Sequence, residues 1–452
     1  MNIIIVGLGK VGQKLAERLS LEKEHSITVI DLKQSVLTDT VNAHDVMGIT
    51  GSGASVEVLE EAGIRSADIL IAVTESDELN LLTCFLARKL SLVSTIARVR
   101  NPEYKKEIQL FKDDLGLAMI INPELIAAEE TARLLRFPSA VQIDTFAKGR
   151  VEILKFKISP NSPLCDLKLM EISQKFDCNI LICGVERGEE AFIPGGNFML
   201  KAGDYVSVVG TIRDATHFIK KIGLKTGKVK NSMIVGGGET AVYLANSLQK
   251  AGIEVTVVEQ NANRCDELCA LLPKATIING DGTENRLLIE EGIDSVESFV
   301  ALTNQDEANV MLSLYAKTRT EGKIITKINR TAYDEVISNL GLDTVIYPKD
   351  LTAEYILRFV RAKNNSIGSN IETMHEILDG KAEALEFNIL KNAPVANKTL
   401  ETLPLKQGVL IACINRQGNI ITPRGKDMML PGDTVIVVTS HKGFTDIGDI
   451  VK

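Results

Sequence analysis

The sequence contains itself twice, and this constrains the fold more than any other feature of its 452 residues. Gly7 and Gly9 recur as Gly236 and Gly238, an offset of 229 (236 − 7). At the same offset "LEEAGIRSADILIAVTESDELN" from Leu59 meets "LIEEGIDSVESFVALTNQDEAN" from Leu288, and "IARVRNPEY" from Ile96 meets "ITKINRTAY" from Ile325. "INPELIAAEETARLLRF" matches "IYPKDLTAEYILRFVR" with a small deletion, and "LKAGDYVSVVG" matches "LPGDTVIVV" near the end of each half. Each half therefore carries the same two modules in the same order, and whatever fold one half adopts must be built twice.

In the first module, short apolar runs alternate with helical patterns. Strands are expected at 3–6, 27–31, 46–49, 69–73, 95–99 and 119–121, and helices at 10–20, 36–43, 55–62, 77–90, 103–110 and 124–135. Strands that alternate with helices imply crossover units and a parallel sheet covered on both faces. Six such strands complete a doubly wound Rossmann sheet. The second module reads as a small α+β domain. Its strands are "GRVEILKFKI", "NILICGVER", "AFIPGG" and "DYVSVVG", and its helices are "DLKLMEISQKF" and "DATHFIKKI". The fold class is α/β: two doubly wound parallel-sheet domains, 1–138 and 231–362, each followed by an α+β domain, 139–222 and 371–452. "GLKTGKVK" (223–230) and "KNNSIGSN" (363–370) read as connectors.

Composition narrows the function classes. A formal charge of −8 argues against a general nucleic-acid binder. No apolar run approaches the roughly 18–20 residues that span a bilayer. There is no signal-peptide pattern, and the seven cysteines are scattered without a CxxC pair, which fits a reducing, cytoplasmic setting. Cys265 and Cys269 lie one helical turn apart, but no second ligand pair lies near them.

Gly7-Leu8-Gly9-Lys10-Val11-Gly12 follows a strand and opens a helix. In that context the first glycine allows the tight turn, the second lets a pyrophosphate approach the backbone, and the third lets helix pack on strand. Asp31 ends the next strand, where a carboxylate accepts from ribose hydroxyls and disfavours a 2′-phosphate. The second half offers Gly236, Gly237, Gly238, Glu239 and Thr240, with Ala241 for the third glycine and Glu259 at the Asp31 position. Glu239 replaces Lys10, and a carboxylate facing the phosphates there would weaken binding. Further loops at strand C-termini hold Thr50-Gly51, Thr74-Glu75 and Arg98, matched by Gly280-Asp281, Thr303 and Lys327. Arg98 and Lys327 are either phosphate contacts or partners of surface acids. "ESDE" and "NQDE" sit at helix starts and read as N-terminal capping.

Chemistry to accompany these fingerprints is missing from the sequence. The five histidines share no motif between the halves, and no nucleophile elbow, HExxH or P-loop occurs. A duplicated NAD-dependent oxidoreductase would need a lysine or histidine beside the nicotinamide, and none presents itself. Two nucleotide fingerprints without catalytic residues point to a sensor.

The runs "IIIVGLGKVGQKLAERL", "DILIAVTESDELNLLTC", "IARVRNPEY" and "MIVGGGETAVYLANSL…VVEQN" resemble the TrkA family, the nucleotide-binding subunits of bacterial Trk potassium-uptake systems. The resemblance spans both halves. It implies two regulator-of-potassium-conductance (RCK) units per chain, a self-assembled gating ring, a membrane potassium-translocating partner at the inner face of the membrane, and no enzymatic activity. It implies NAD(H) or ATP/ADP as ligands. The implied contacts are Gly7 to Val11, Asp31, the Thr50-Gly51 loop, Thr74, Glu75 and Arg98. Their second-half counterparts are Gly236 to Thr240, Glu259, the Gly280 loop, Thr303 and Lys327. The first loop reads "TGSGAS", without the aspartate that many family loops carry.

Overall fold

The computed structural model describes residues 1–21, 25–101, 104, 116–224, 227–330, 336–337, 340–342, 344–365, 371–378, 380–444 and 446–452. The helix expected over 103–110 lies, apart from Tyr104, outside the described residues.

The first half opens with β1 (Asn2–Val6), α1 (Lys10–Ser20), β2 (Ser26–Asp31), α2 (Gln34–Ala43), β3 (Met47–Thr50), α3 (Val56–Glu61), β4 (Ile69–Ala72), α4 (Asp77–Leu90), β5 (Ser94–Arg98), β6 (Leu117–Ile121) and α5 (Pro123–Arg136). The strands form a parallel sheet in the order β3-β2-β1-β4-β5-β6, doubly wound about β1 and β4. Burial on both faces explains why β4, Ile-Leu-Ile-Ala, carries no polar residue and is buried throughout. An antiparallel sheet follows, made of β7 (Gln142–Phe146), β8 (Val151–Lys157), β9 (Leu181–Arg187), β10 (Glu190–Phe192) and β11 (Tyr205–Thr211), with helices α6 (Leu169–Phe176) and α7 (Ile212–Lys221). The sequence reading lacked β7, whose Gln-Ile-Asp-Thr-Phe mixes buried and polar residues.

The second half repeats the plan. β12 (Asn231–Val235), α8 (Glu239–Lys250), β13 (Glu254–Glu259), α9 (Ala262–Leu271), β14 (Thr276–Asn279), α10 (Asn285–Glu290), β15 (Ser298–Ala301), α11 (Asp306–Arg319), β16 (Lys323–Lys327) and β17 (Val345–Ile346) lead to the helix α12 (Pro348–Asn365). The sheet order is β14-β13-β12-β15-β16-β17, the same as in the first half. The final sheet contains β18 (Ile371–Ile377), β19 (Ala382–Asn388), β20 (Val409–Arg416), β21 (Asn419–Ile421) and β22 (Thr434–Thr439). Here 3-10 turns stand where the first copy has helices. α12 also runs through Asn365, so the start of the "KNNSIGSN" connector is helical.

The two halves interlock. α5 leaves the first sheet and packs on α8 of the second half. Ala127, Ala128 and Leu135 share a core with Ala241, Leu244 and Leu248. Reciprocally, α12 packs on α1, so that Ile356, Leu357 and Val360 bury against Leu15, Leu19 and Ile3 of the first half. The two antiparallel sheets also meet: Phe146, Cys183 and Val209 share a core with Ile377, Ala384, Cys413 and Val438. Each half thus completes the other's hydrophobic core, and apolar burial of this extent is the main source of stability.

Candidate functional site

Each glycine turn is built by a backbone that only glycine tolerates. Gly7 has φ +95°, and a Cβ there would lie 2.8 Å from the Thr74 nitrogen. Gly236 has φ +104°, with the Leu302 carbonyl carbon 2.9 Å from its would-be Cβ. A Cβ on Gly12 would sit 1.9 Å from the Gly7 oxygen, so the third glycine sets how closely α1 packs.

Gly9 and Gly238 are different. Their φ/ψ values, −66°/−173° and −68°/−179°, suit any residue. A Cβ on either meets nothing within 4 Å. Neither conformation nor packing accounts for glycine there. Both are the exposed N-caps of their helices, where free N–H groups and the helix dipole favour an anion, and Gly238 lines a cleft.

The carboxylates at the second strand ends brace these turns. Asp31 Oδ2 accepts from the Leu8 N–H at 2.7 Å and Oδ1 from the Lys33 N–H at 2.8 Å. Glu259 does the same through the Gly237 N–H at 2.7 Å and the Asn261 N–H at 2.8 Å. Each oxygen retains an acceptor site for a sugar hydroxyl. Around the second turn, Gly236, Gly237, Gly238, Glu259, Asp281 and Thr303 line a cleft of ≈ 440 Å³. A larger cleft of ≈ 650 Å³ runs past Pro138, Lys317 and Lys323, away from the glycine turns. Its Lys317 and Lys323 Nζ already donate to the carbonyls of Gly341 and Ala140.

The remaining sequence candidates divide into those that face the crevices and those that build them. Leu8 and Val11 turn their side chains into the core, so only their main chain can meet a ligand, and Thr240 is buried likewise. Lys10 and Glu75 are exposed. A Cβ on Gly51 or Gly280 would strike Val58 or Leu287, so these glycines serve loop packing. Thr50 Oγ1 bonds Gln34. Asp281 caps its own loop, accepting from the Thr283 N–H and hydroxyl, both at 2.8 Å, and the main-chain bond holds its carboxyl below the usual range.

Among the described residues, neither Arg98 nor Lys327 forms an ion pair within 4 Å, although acids such as Glu124 act on both. Arg98 Nη1 lies 3.4 Å from the Thr74 carbonyl, and its buried Nε has no hydrogen-bond partner among the described residues. Burial, and then Arg100, lower its pKa. Lys327 is buried, donates to the Leu302 carbonyl at 3.1 Å, and is lowered by burial as well. Both cations lie behind the Thr74 and Thr303 loops.

Sequence reasoning missed the residues that fix these loops. Asn80 Oδ1 accepts from the Thr74 N–H (2.8 Å) and hydroxyl (2.7 Å), while its Nδ2 donates to the Arg98 carbonyl at 2.9 Å. Asn309 repeats this with Thr303 and Lys327 at 2.9, 2.6 and 2.9 Å. Asp77 does more than start a helix, because its Oδ2 accepts from the Arg100 and Asn101 N–H groups. Asp306 accepts likewise from those of Asn329 and Arg330. The signal was present in the repeated spacing of "DELN" and "DEAN". Arg264 was also missed: it pairs with Glu239 at 2.9 Å. Among the described residues, no group of three or more His, Cys, Asp or Glu is placed to hold a metal ion, and no helix is long and apolar enough to cross a membrane.

Comparison with known proteins agrees with this architecture. The TrkA-N domain family model matches residues 3–123 and 232–348, and the TrkA-C domain model matches 153–223 and 384–451. The chain is 31% identical over its full length, and over the full length of the relative, to Trk system potassium uptake protein TrkA homolog 1 of Methanosarcina mazei. It is 31% identical to the Trk system potassium uptake protein TrkA of Haemophilus influenzae, covering 98% of this chain and 96% of that one. Among solved structures, the GsuK channel shares the fold at TM-score 0.64 and 17% identity, over 97% of this chain and 76% of that one. The GsuK channel bound to NAD does so at TM-score 0.62 and 18% identity, with the same coverage.

Proposed function

The chain belongs to the TrkA family of Trk system potassium uptake proteins, and from that premise we propose that it is a non-enzymatic regulatory subunit that gates a membrane potassium transporter in response to nucleotide. Units 1–138 and 231–362 bind the nucleotide, and units 139–222 and 371–452 relay its effect. NAD(H) or ATP/ADP is the ligand. The chain assembles with copies of itself into a ring and works at the inner face of the membrane, held there by the transporter.

The observation that carries this reading is the pair of glycines, Gly9 and Gly238, whose would-be Cβ atoms meet open space at a helix N-terminus. A ligand that approaches the main chain closely accounts for them. The named relatives supply the potassium-transport context, and the NAD-bound GsuK channel is a same-fold protein that takes such a ligand. For a ligand to regulate, it must bind two arrangements of the chain with different free energies.

Titration of the purified chain with NAD, NADH, ATP and ADP tests the reading. We expect saturable binding of at least one of them, and binding weakened about tenfold by Asp31→Ala, the loss of roughly one charge-assisted hydrogen bond. Absence of binding by all four would remove the function. Co-purification with a polytopic potassium-translocating subunit tests the partner.

A further inference from the structure

The second crevice begins with an acid where the first begins with a base. Glu239 is the first residue of α8, and Lys10 is the first residue of α1. An acid in this position suits the helix dipole but competes with an incoming phosphate for the same free N–H groups. Across from it, Arg264 extends from the first turn of α9 over the glycine turn. Its Nε donates to the Gly237 carbonyl at 2.8 Å, Nη2 to Glu239 Oε1 at 2.9 Å, and Nη1 to Glu267 Oε2 at 2.7 Å. Glu259 holds the N–H of Gly237, so side chains grip both polar groups of that residue. Arg264 is three-quarters buried, with 23% of its side chain exposed, whereas 40% of the Glu239 side chain is exposed. The rigid guanidinium fork fixes the direction in which the flexible glutamate points.

We propose that Arg264 is a positioning residue of the second crevice: by holding the Glu239 carboxylate to one side, it leaves the α8 N-terminus open to the phosphates of a nucleotide. This rests on the reading of the second crevice as a nucleotide site. The first half needs no such device, because Lys10 already carries the favourable sign. The two crevices thus keep the helix end free by different routes, one with a lysine at the first helical position and the other with an acid held by its keeper.

The test uses the full chain carrying Gly9→Leu, which fills the first crevice, titrated calorimetrically with NADH and with ATP. Arg264→Gln in that chain is expected to weaken binding about tenfold, as the released carboxylate competes for the helix end. Adding Glu239→Gln to Arg264→Gln is expected to restore affinity to within about threefold of the parent. Such rescue would not follow if Arg264 merely supported the fold. Unchanged affinity in Arg264→Gln, or failure of the double variant to recover, overturns the proposal while leaving the nucleotide site standing. No binding in the Gly9→Leu chain, with or without Glu239→Gln, overturns the proposal together with the reading of the second crevice.

Discussion

At the scale of single residues, the glycines of each turn do separate jobs that the motif alone does not distinguish. Gly7 and Gly236 are required by their own backbone, and Gly12 by helix packing. Gly9 and Gly238 are required by neither. Substituting Gly9, the N-cap of α1, by Leu should therefore cost no more than the roughly 1 kcal/mol of an apolar N-cap, while abolishing nucleotide binding in the first crevice. Gly7→Ala should instead destabilise the chain, because alanine at positive φ collides with Thr74. Thermal unfolding and titration of the two variants separate these outcomes. A large stability loss in Gly9→Leu would mean that the glycine serves the fold after all.

At the scale of elements, the exchanged helices carry the energetics. α12 belongs in sequence to the second half, yet its Ile356, fully buried, belongs to the core of the first half's sheet. Ile356→Ala should cost roughly 2–5 kcal/mol. The loss should appear in the first half: amide exchange in β1, Asn2–Val6, should accelerate as α12 loosens from α1. Exchange that accelerated only in the second half would contradict the shared core. The same interlocking explains how occupancy of one crevice could be felt by the other half. Asn122, the N-cap of α5, donates from Nδ2 to the Tyr243 hydroxyl of α8 at 3.2 Å and to the Arg100 carbonyl at 3.1 Å.

At the scale of the whole molecule, titratable groups gather where the crossover helices meet the strands that lead into the antiparallel sheets. α5 contributes Glu130 and Arg133, β7 Asp144, α12 Glu354 and Arg358, β18 His375 and Glu376, and α1 Arg18. His375 Nδ1 lies 3.0 Å from Asp144 Oδ1 and 2.9 Å from Arg358 Nη2. β7 and β18 occupy equivalent edges of their sheets, so the contact joins the halves. Burial pushes the Glu130 and Glu354 carboxyls up to about 7, against the pull of Arg133 and Arg358. An acid whose folded pKa lies above its unfolded value binds more protons when folded, so its contribution to stability falls as pH rises through that interval and levels off above the folded pKa. Burial lowers the pKa of His375 in the same cluster, which acts in the opposite sense, so the carboxyls are read by difference: between about pH 5 and about pH 7 the denaturant midpoint of the parent chain should fall relative to that of a Glu130→Gln, Glu354→Gln chain. Identical profiles for the two chains would show that these carboxyls are not the cause.

By itself the sequence determined the repeated plan, the two doubly wound sheets and the glycine turns, because local periodicity and backbone sterics act over a few residues and leave their mark in residue order. It also held the bracing Asp77, Asn80, Asp306 and Asn309 in its repeats, without revealing what they brace. Only the tertiary structure decided that α5 and α12 change places, that β7 and β18 are strands despite buried Asp144 and His375, and that Arg264 faces Glu239. Those outcomes depend on which surfaces meet across the halves. A chain written as two copies states that each has an apolar helix to bury, and nothing in its order states against which copy.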